Sequence, residues 1–165
     1  MASGRFSQSH GIVPIFVPLA DNYNTITVAE ESIDMALYNH ATFIFLFSAS
    51  CTAGAGVLTM SAGLTNGAAD AAVTFTYRYS SAAVLTAGAD VYGAAATATT
   101  ITMAQASIVN RVLVVEVAAD DMWIANVQYR YLTPAYDDGG TAGIFSCVAI
   151  LSEPRYAEAV MPTAI

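Results

Sequence analysis

The sequence predicts an all-β chain: a single β-sandwich or jelly-roll-like domain carrying extended N- and C-terminal arms. Three observations lead there. Short runs of alternating or β-branched residues recur along the chain, roughly seven or eight of them, separated by Gly, Asn, Asp and Pro turn signals. No amphipathic stretch longer than a turn or two shows helical spacing of large apolar residues. A late segment, residues 140–156, is apolar on both faces of an extended chain. Ile144, Ser146, Val148 and Ile150 alternate with Phe145, Cys147, Ala149 and Leu151. Such a strand is expected at the centre of the fold, covered on both sides.

In chain order, residues 1–22 read as an extended N-terminal arm. Pro14 and Pro18 stand four apart in Ile12-Val13-Pro14-Ile15-Phe16-Val17-Pro18, which excludes a helix interior. Neither proline can donate into a central ladder, so the segment is an edge strand or an arm lying over a neighbour; the arm is the preferred reading. Residues 23–156 form the sandwich domain. Thr25-Ile26-Thr27-Val28 is a short strand, and residues 30–35 are one helical turn or a plain loop. Residues 42–49 set Phe43, Phe45 and Phe47 on one face and Ile44 and Leu46 on the other. A Gly-rich bend, a strand over 57–62 and a hairpin turn at Asn66-Gly67 follow.

Residues 72–80 alternate cleanly, with Val73, Phe75, Tyr77 and Tyr79 sharing a face. Residues 81–100 are almost all Ala, Gly, Thr and Ser and are expected to be a long loop, of the kind that is functional or ordered by a partner. Residues 111–117 are a β-branched strand closed by Asp120-Asp121. Residues 123–132 alternate again, Trp123, Tyr129 and Tyr131 on one face and Arg130 on the other. The turn Asp137-Asp138-Gly139-Gly140 launches the central strand, Pro154 ends it, and residues 157–165 form a C-terminal tail.

Composition narrows the function. The chain has 165 residues, of which 56% are apolar and only 11% charged, under half of the usual charged share of about 25%. A monomer so poor in charge exposes apolar area, and large apolar patches mark partner surfaces. There is no lysine. Five arginines stand scattered against thirteen acids, for a net charge of −8, so neither nucleic acid nor an anionic membrane surface is an expected partner. Mean hydropathy is +0.54, but residues 41–49, the most apolar run, are about half the length a membrane helix needs. The start lacks the apolar stretch of a secretory signal, so Cys51 and Cys147 are expected to stay reduced, with Cys147 a small buried hydrophobe.

No catalytic motif is present, and no residue is nominated as a catalyst, a cofactor ligand or a metal ligand. His10 and His40 lack partners at ligand spacing, the paired aspartates read as turn formers, and the Gly-rich stretches lack the lysine of a phosphate cradle. Tyr77, Tyr79, Tyr129, Tyr131 and Trp123 suit either a glycan-binding face or packing of one half of the sandwich; packing is preferred. The candidate partner-contact residues are Ile12, Val13, Pro14, Ile15, Phe16, Val17 and Pro18 in the arm, Arg78 and Arg130 on exposed strand faces, and Arg155 with Tyr156 at the exit of the last strand.

Residues 1–13 (Met-Ala-Ser-Gly-Arg-Phe-Ser-Gln-Ser-His-Gly-Ile-Val), 113–122 (Leu-Val-Val-Glu-Val-Ala-Ala-Asp-Asp-Met), 149–156 (Ala-Ile-Leu-Ser-Glu-Pro-Arg-Tyr) and 161–165 (Met-Pro-Thr-Ala-Ile) resemble small structural proteins of tailed bacteriophages, the minor capsid, decoration or cement proteins. The resemblance implies a virion protein on the capsid surface, assembled in the host bacterial cytoplasm and clamping neighbouring major capsid protein subunits against the pressure of packaged DNA. It also implies self-association, as a homotrimer. A neck, tail or baseplate component and a host-glycan-binding virion module are the alternatives. No active-site residues come with it.

Overall fold

A computed structural model describes residues 6, 10–18, 28–29, 32–49, 51, 55–84, 86–137 and 143–155. In chain order the strands are β1 (Gly11–Phe16), β2 (Val28–Ala29), β3 (Ile33–Asp34), β4 (Tyr38–Phe47), β5 (Ala55–Gly63), β6 (Ala71–Ala72), β7 (Phe75–Tyr79), β8 (Ala96–Ala98) and β9 (Thr100–Ala104). A single helical turn, α1 (Gln105–Ile108), precedes β10 (Val112–Ala118) and a 3-10 turn at Ala119–Met122. Then come β11 (Trp123–Ile124), β12 (Val127–Gln128), β13 (Tyr131–Asp137) and β14 (Phe145–Pro154).

These strands build two antiparallel sheets. The first runs β1-β14-β4-β10-β7-β8. The second runs β2-β13-β5-β6, with β3 also on β13 and β9 also on β5; β11 and β12 form a separate ribbon. The inner faces meet in one core. Phe43, Phe45, Leu113, Val115, Cys147 and Ala149 come from the first sheet; Leu58, Met60, Met103, Leu132 and Tyr136 come from the second. The Tyr136 and Phe145 rings, one from each sheet, lie 4.8 Å apart. The all-β sandwich expected from the strand pattern is what the chain forms. Gly56 in β5 is required by this packing, because a Cβ there would overlap the Tyr136 ring.

Two crossings stitch the sheets together. Residues 72–80, which read as one strand, are two: β6 pairs with β5 in the second sheet, and after Val73 and Thr74 the chain enters the first sheet as β7. The return path does the same, since β8 pairs with β7 and β9 with β5. Strands that switch sheets make the corners of such sandwiches. The long loop expected over 81–100 therefore ends early: residues 96–98 are an edge strand, built from alanine and threonine that a propensity argument passes over.

Other expectations are corrected. Residues 123–132 are not one strand, because Ala125 and Asn126 take φ of 50° and 66° and turn the chain back as a two-residue hairpin. The turn-or-loop segment contains β3 at Ile33–Asp34, while residues 30–31, like 25–27, lie outside the described residues. β1 is an edge strand of its own chain, paired with β14 from Gly11↔Leu151 to Phe16↔Cys147. Pro14, which has no N–H to donate, is tolerated at that edge, and the register shift between Pro14 and Phe16 turns both Ile15 and Phe16 inward. The preferred arm reading fails for these residues.

Candidate functional site

β14 sits second in the first sheet with its inner face, Phe145, Cys147, Ala149 and Leu151, fully buried. Its outer face is not covered by another element among the described residues. Ser146, Val148 and Ile150 remain half-buried, shielded by neighbours on flanking strands and not by a second layer. The same holds along the sheet, where the pairing register aligns outward side chains into continuous rows. One row runs Pro14–Val148–Ile44–Val114–Arg78; the next runs Ile12–Ile150–Thr42–Glu116–Thr76; a shorter one runs Ser146–Leu46–Val112. Ile12 is 54% exposed and Leu46 48%. Among the described residues, no strand or helix packs across these rows. These three rows form a contiguous, largely apolar surface, mixed with Thr and Ser, that carries one cation and one anion; a fourth row, Ser152–His40–Ala118, continues the face. At its end a depression of about 270 Å³ opens between Pro18, Leu46, Val84 and Ile144.

The expected contact residues divide accordingly. Val13, Ile15 and Phe16 are core residues and unavailable to a partner, while Ile12, Pro14, Val17 and Pro18 are exposed. Arg78 is exposed beside Val114 on the outer face, with no ion-pair partner among the described residues. Arg130 has a different role: its Nε donates to both Asp34 carboxylate oxygens at 3.0 Å, and its Nη2 donates to Oδ2 at 2.5 Å. Burial alone would push the Asp34 carboxyl up, but these hydrogen bonds, the Ala36 N–H and the Arg130 charge hold it below the usual carboxylate value. The pair ties β3 to the segment entering β13, with the guanidinium over the Tyr131 ring. Arg130 is thus a clasp within the chain, with its side chain still 54% exposed. Arg155 is exposed and lines a cavity of about 250 Å³ with Met35, Ala119, Gln128 and Tyr129. Tyr156 and the tail, 157–165, lie outside the described residues, as do residues 138–142 of the acidic turn.

Among the described residues, no cluster of three His, Cys, Asp or Glu side chains is placed to hold a metal ion. Cys51 and Cys147 are free and buried, and burial pushes both thiols up, Cys147 strongly, away from nucleophilic thiolate. Tyr77 and Tyr79 on β7 meet edge to face and pack against the core, Tyr129 packs on the core beside the β11–β12 ribbon, and Trp123 on that ribbon is 58% exposed. No helix among the described residues is long and apolar enough to cross a membrane.

The sequence carries a signal for the outer face that fits two arrangements. Strands β4, β10 and β14 are apolar on both sides, a pattern that signals either burial between two layers or one buried face and one assembly face. Only the pairing order, with no third layer among the described residues, distinguishes the two.

No family model matches the chain, and no curated protein matches it. Among solved structures, the chain is similar to the SPBc2 prophage-derived protein YomS, with a TM-score of 0.48 and 7% identity over 87% of this chain and 93% of that one. A likeness to the coat protein of tobacco streak virus has a TM-score of 0.19 and 10% identity over 94% of each chain.

Proposed function

We propose that the chain is a structural protein of a bacteriophage virion, a capsid cement or decoration protein that binds the outer shell and stabilises contacts between major capsid subunits. The observation that carries this reading is the apolar outer face of the first sheet, which no element among the described residues covers. A chain with 11% charged residues that leaves Ile12, Leu46 and their row neighbours outside its core is built to be covered by other chains. The sequence resemblance to small tailed-phage structural proteins supplies the setting. The acidic balance, −8 overall, suits a protein on the outer side of a shell, away from packaged DNA. The work is mechanical, and no catalytic step is assigned.

The test is the position and copy number of the chain in purified particles. Cement implies hundreds of copies distributed over the shell lattice, following its symmetry. A ring of about a dozen copies or fewer at a unique vertex would overturn the cement role in favour of a neck or tail component.

A further inference from the structure

The three rows on the outer face of the first sheet are charge-balanced, whereas the chain as a whole carries a net charge of −8. Of thirteen acids, only Glu116 lies within these rows, and the only cation there is Arg78. They occupy adjacent rows on neighbouring strands, Arg78 opposite Val114 and Glu116 opposite Thr76. Neither is in an ion pair among the described residues. Two strongly acidic chains repel at most surfaces, and this face is where they approach without that penalty.

We propose that this face is a self-interface: two copies of the chain pack face to face about a two-fold axis, burying Ile44, Leu46, Val114 and Val148. Arg78 of each copy pairs with Glu116 of the other. The inference rests on the reading of the chain as an assembly module and names the partner at that surface. A two-fold contact uses the same patch on both copies, so a patch holding one cation and one anion off its centre is satisfied reciprocally. Five strands at about 4.8 Å spacing and three rows about 6.8 Å apart give roughly 500 Å² of flat area per copy, near 1,000 Å² for the pair, the lower bound of specific interfaces. Edge-to-edge pairing is the weaker alternative, because β1 carries Pro14 and β8 is three residues long.

The test is the solution mass of the full chain by sedimentation across roughly 1–100 μM, a range that spans the affinities of weak interfaces of this size. Twice the 17.2 kDa chain mass is expected. Leu46→Glu, at an exposed position, should give single chains that keep a cooperative melting transition, now independent of protein concentration. Arg78→Glu should weaken association by about tenfold or more, since it sets like charges opposite each other, and Arg78→Glu combined with Glu116→Arg should restore it. A single-chain mass at every concentration would overturn the proposal and assign the face to a capsid subunit or to the chain's own tail. So would a three-chain mass, or association indifferent to these substitutions. Particle imaging tests the virion role separately, so either can fail alone.

Discussion

Removing residues 1–16 should unfold this protein, and the reason lies in three side chains. Val13, Ile15 and Phe16 are 5%, 4% and 6% exposed, and the Phe16 ring lies 5.2 Å from Phe145 and 6.2 Å from Phe45. At about 1.5–3 kcal/mol for each buried side chain, deletion forfeits roughly 5–8 kcal/mol, before counting the β1–β14 hydrogen bonds. That is comparable to the whole stability of an ordinary domain, about 5–15 kcal/mol. A single substitution makes the same point on a measurable scale. Phe16→Ala should cost about 3–5 kcal/mol, whereas Ile12→Ala, at a position 54% exposed in the same strand, should stay within about 0.5 kcal/mol. Urea denaturation of the two variants, with equal slopes required for the comparison, measures the difference. Equal, small losses in both would refute the placement of β1 in the core and restore the free arm.

Three further outcomes follow from local geometry. Gly56→Ala should destabilise by about 1–3 kcal/mol, because the added methyl meets the buried Tyr136 ring; a neutral result by thermal melting would contradict that packing. Ala125→Gly should stabilise by roughly 0.5–1 kcal/mol, since Ala125 holds φ of 50° where glycine is unstrained; a loss of stability would contradict the hairpin. Asp34 has a folded pKa held below its ordinary 3.8. Its contribution is therefore fully present above the unfolded pKa, about 3.9, and is lost as pH falls through the lower folded value. The stability gap between the wild type and Asp34→Asn should be flat from about pH 5 to 7 and shrink below about pH 4. A gap that widens on acidification would reverse the sign argued here.

Period-two patterning located β4, β10 and β14, because one face of each is buried and alternation reports that directly. Patterning failed where the chain changes layers. Val73 belongs to the same alternation as Phe75, yet it lies beyond the end of β6, with its N–H on the Met60 carbonyl, and nothing in side-chain polarity marks a switch of sheets. It failed again at Ala125-Asn126, where Asn tolerates a left-handed backbone but Ala gives no such signal. The proline argument correctly allowed an edge strand for β1, but the choice between edge and arm depended on whether Val13, Ile15 and Phe16 find a core, a tertiary fact. Arg130 is the parallel case among charged residues. Opposite an aromatic face it looked free, and only folding brings Asp34, 96 residues away in sequence, to its guanidinium. Arg78 lies exposed, with no ion-pair partner among the described residues.

The central claim is that the outer face of the six-stranded sheet is covered by other chains. Hydroxyl-radical footprinting of Leu46, Ile44 and Val148, compared between dispersed and assembled protein, reads this directly. Strong protection of these three side chains is expected on assembly, while Trp123, on its separate ribbon, stays reactive. Unchanged labelling of Leu46, Ile44 and Val148 in the assembled state would contradict it.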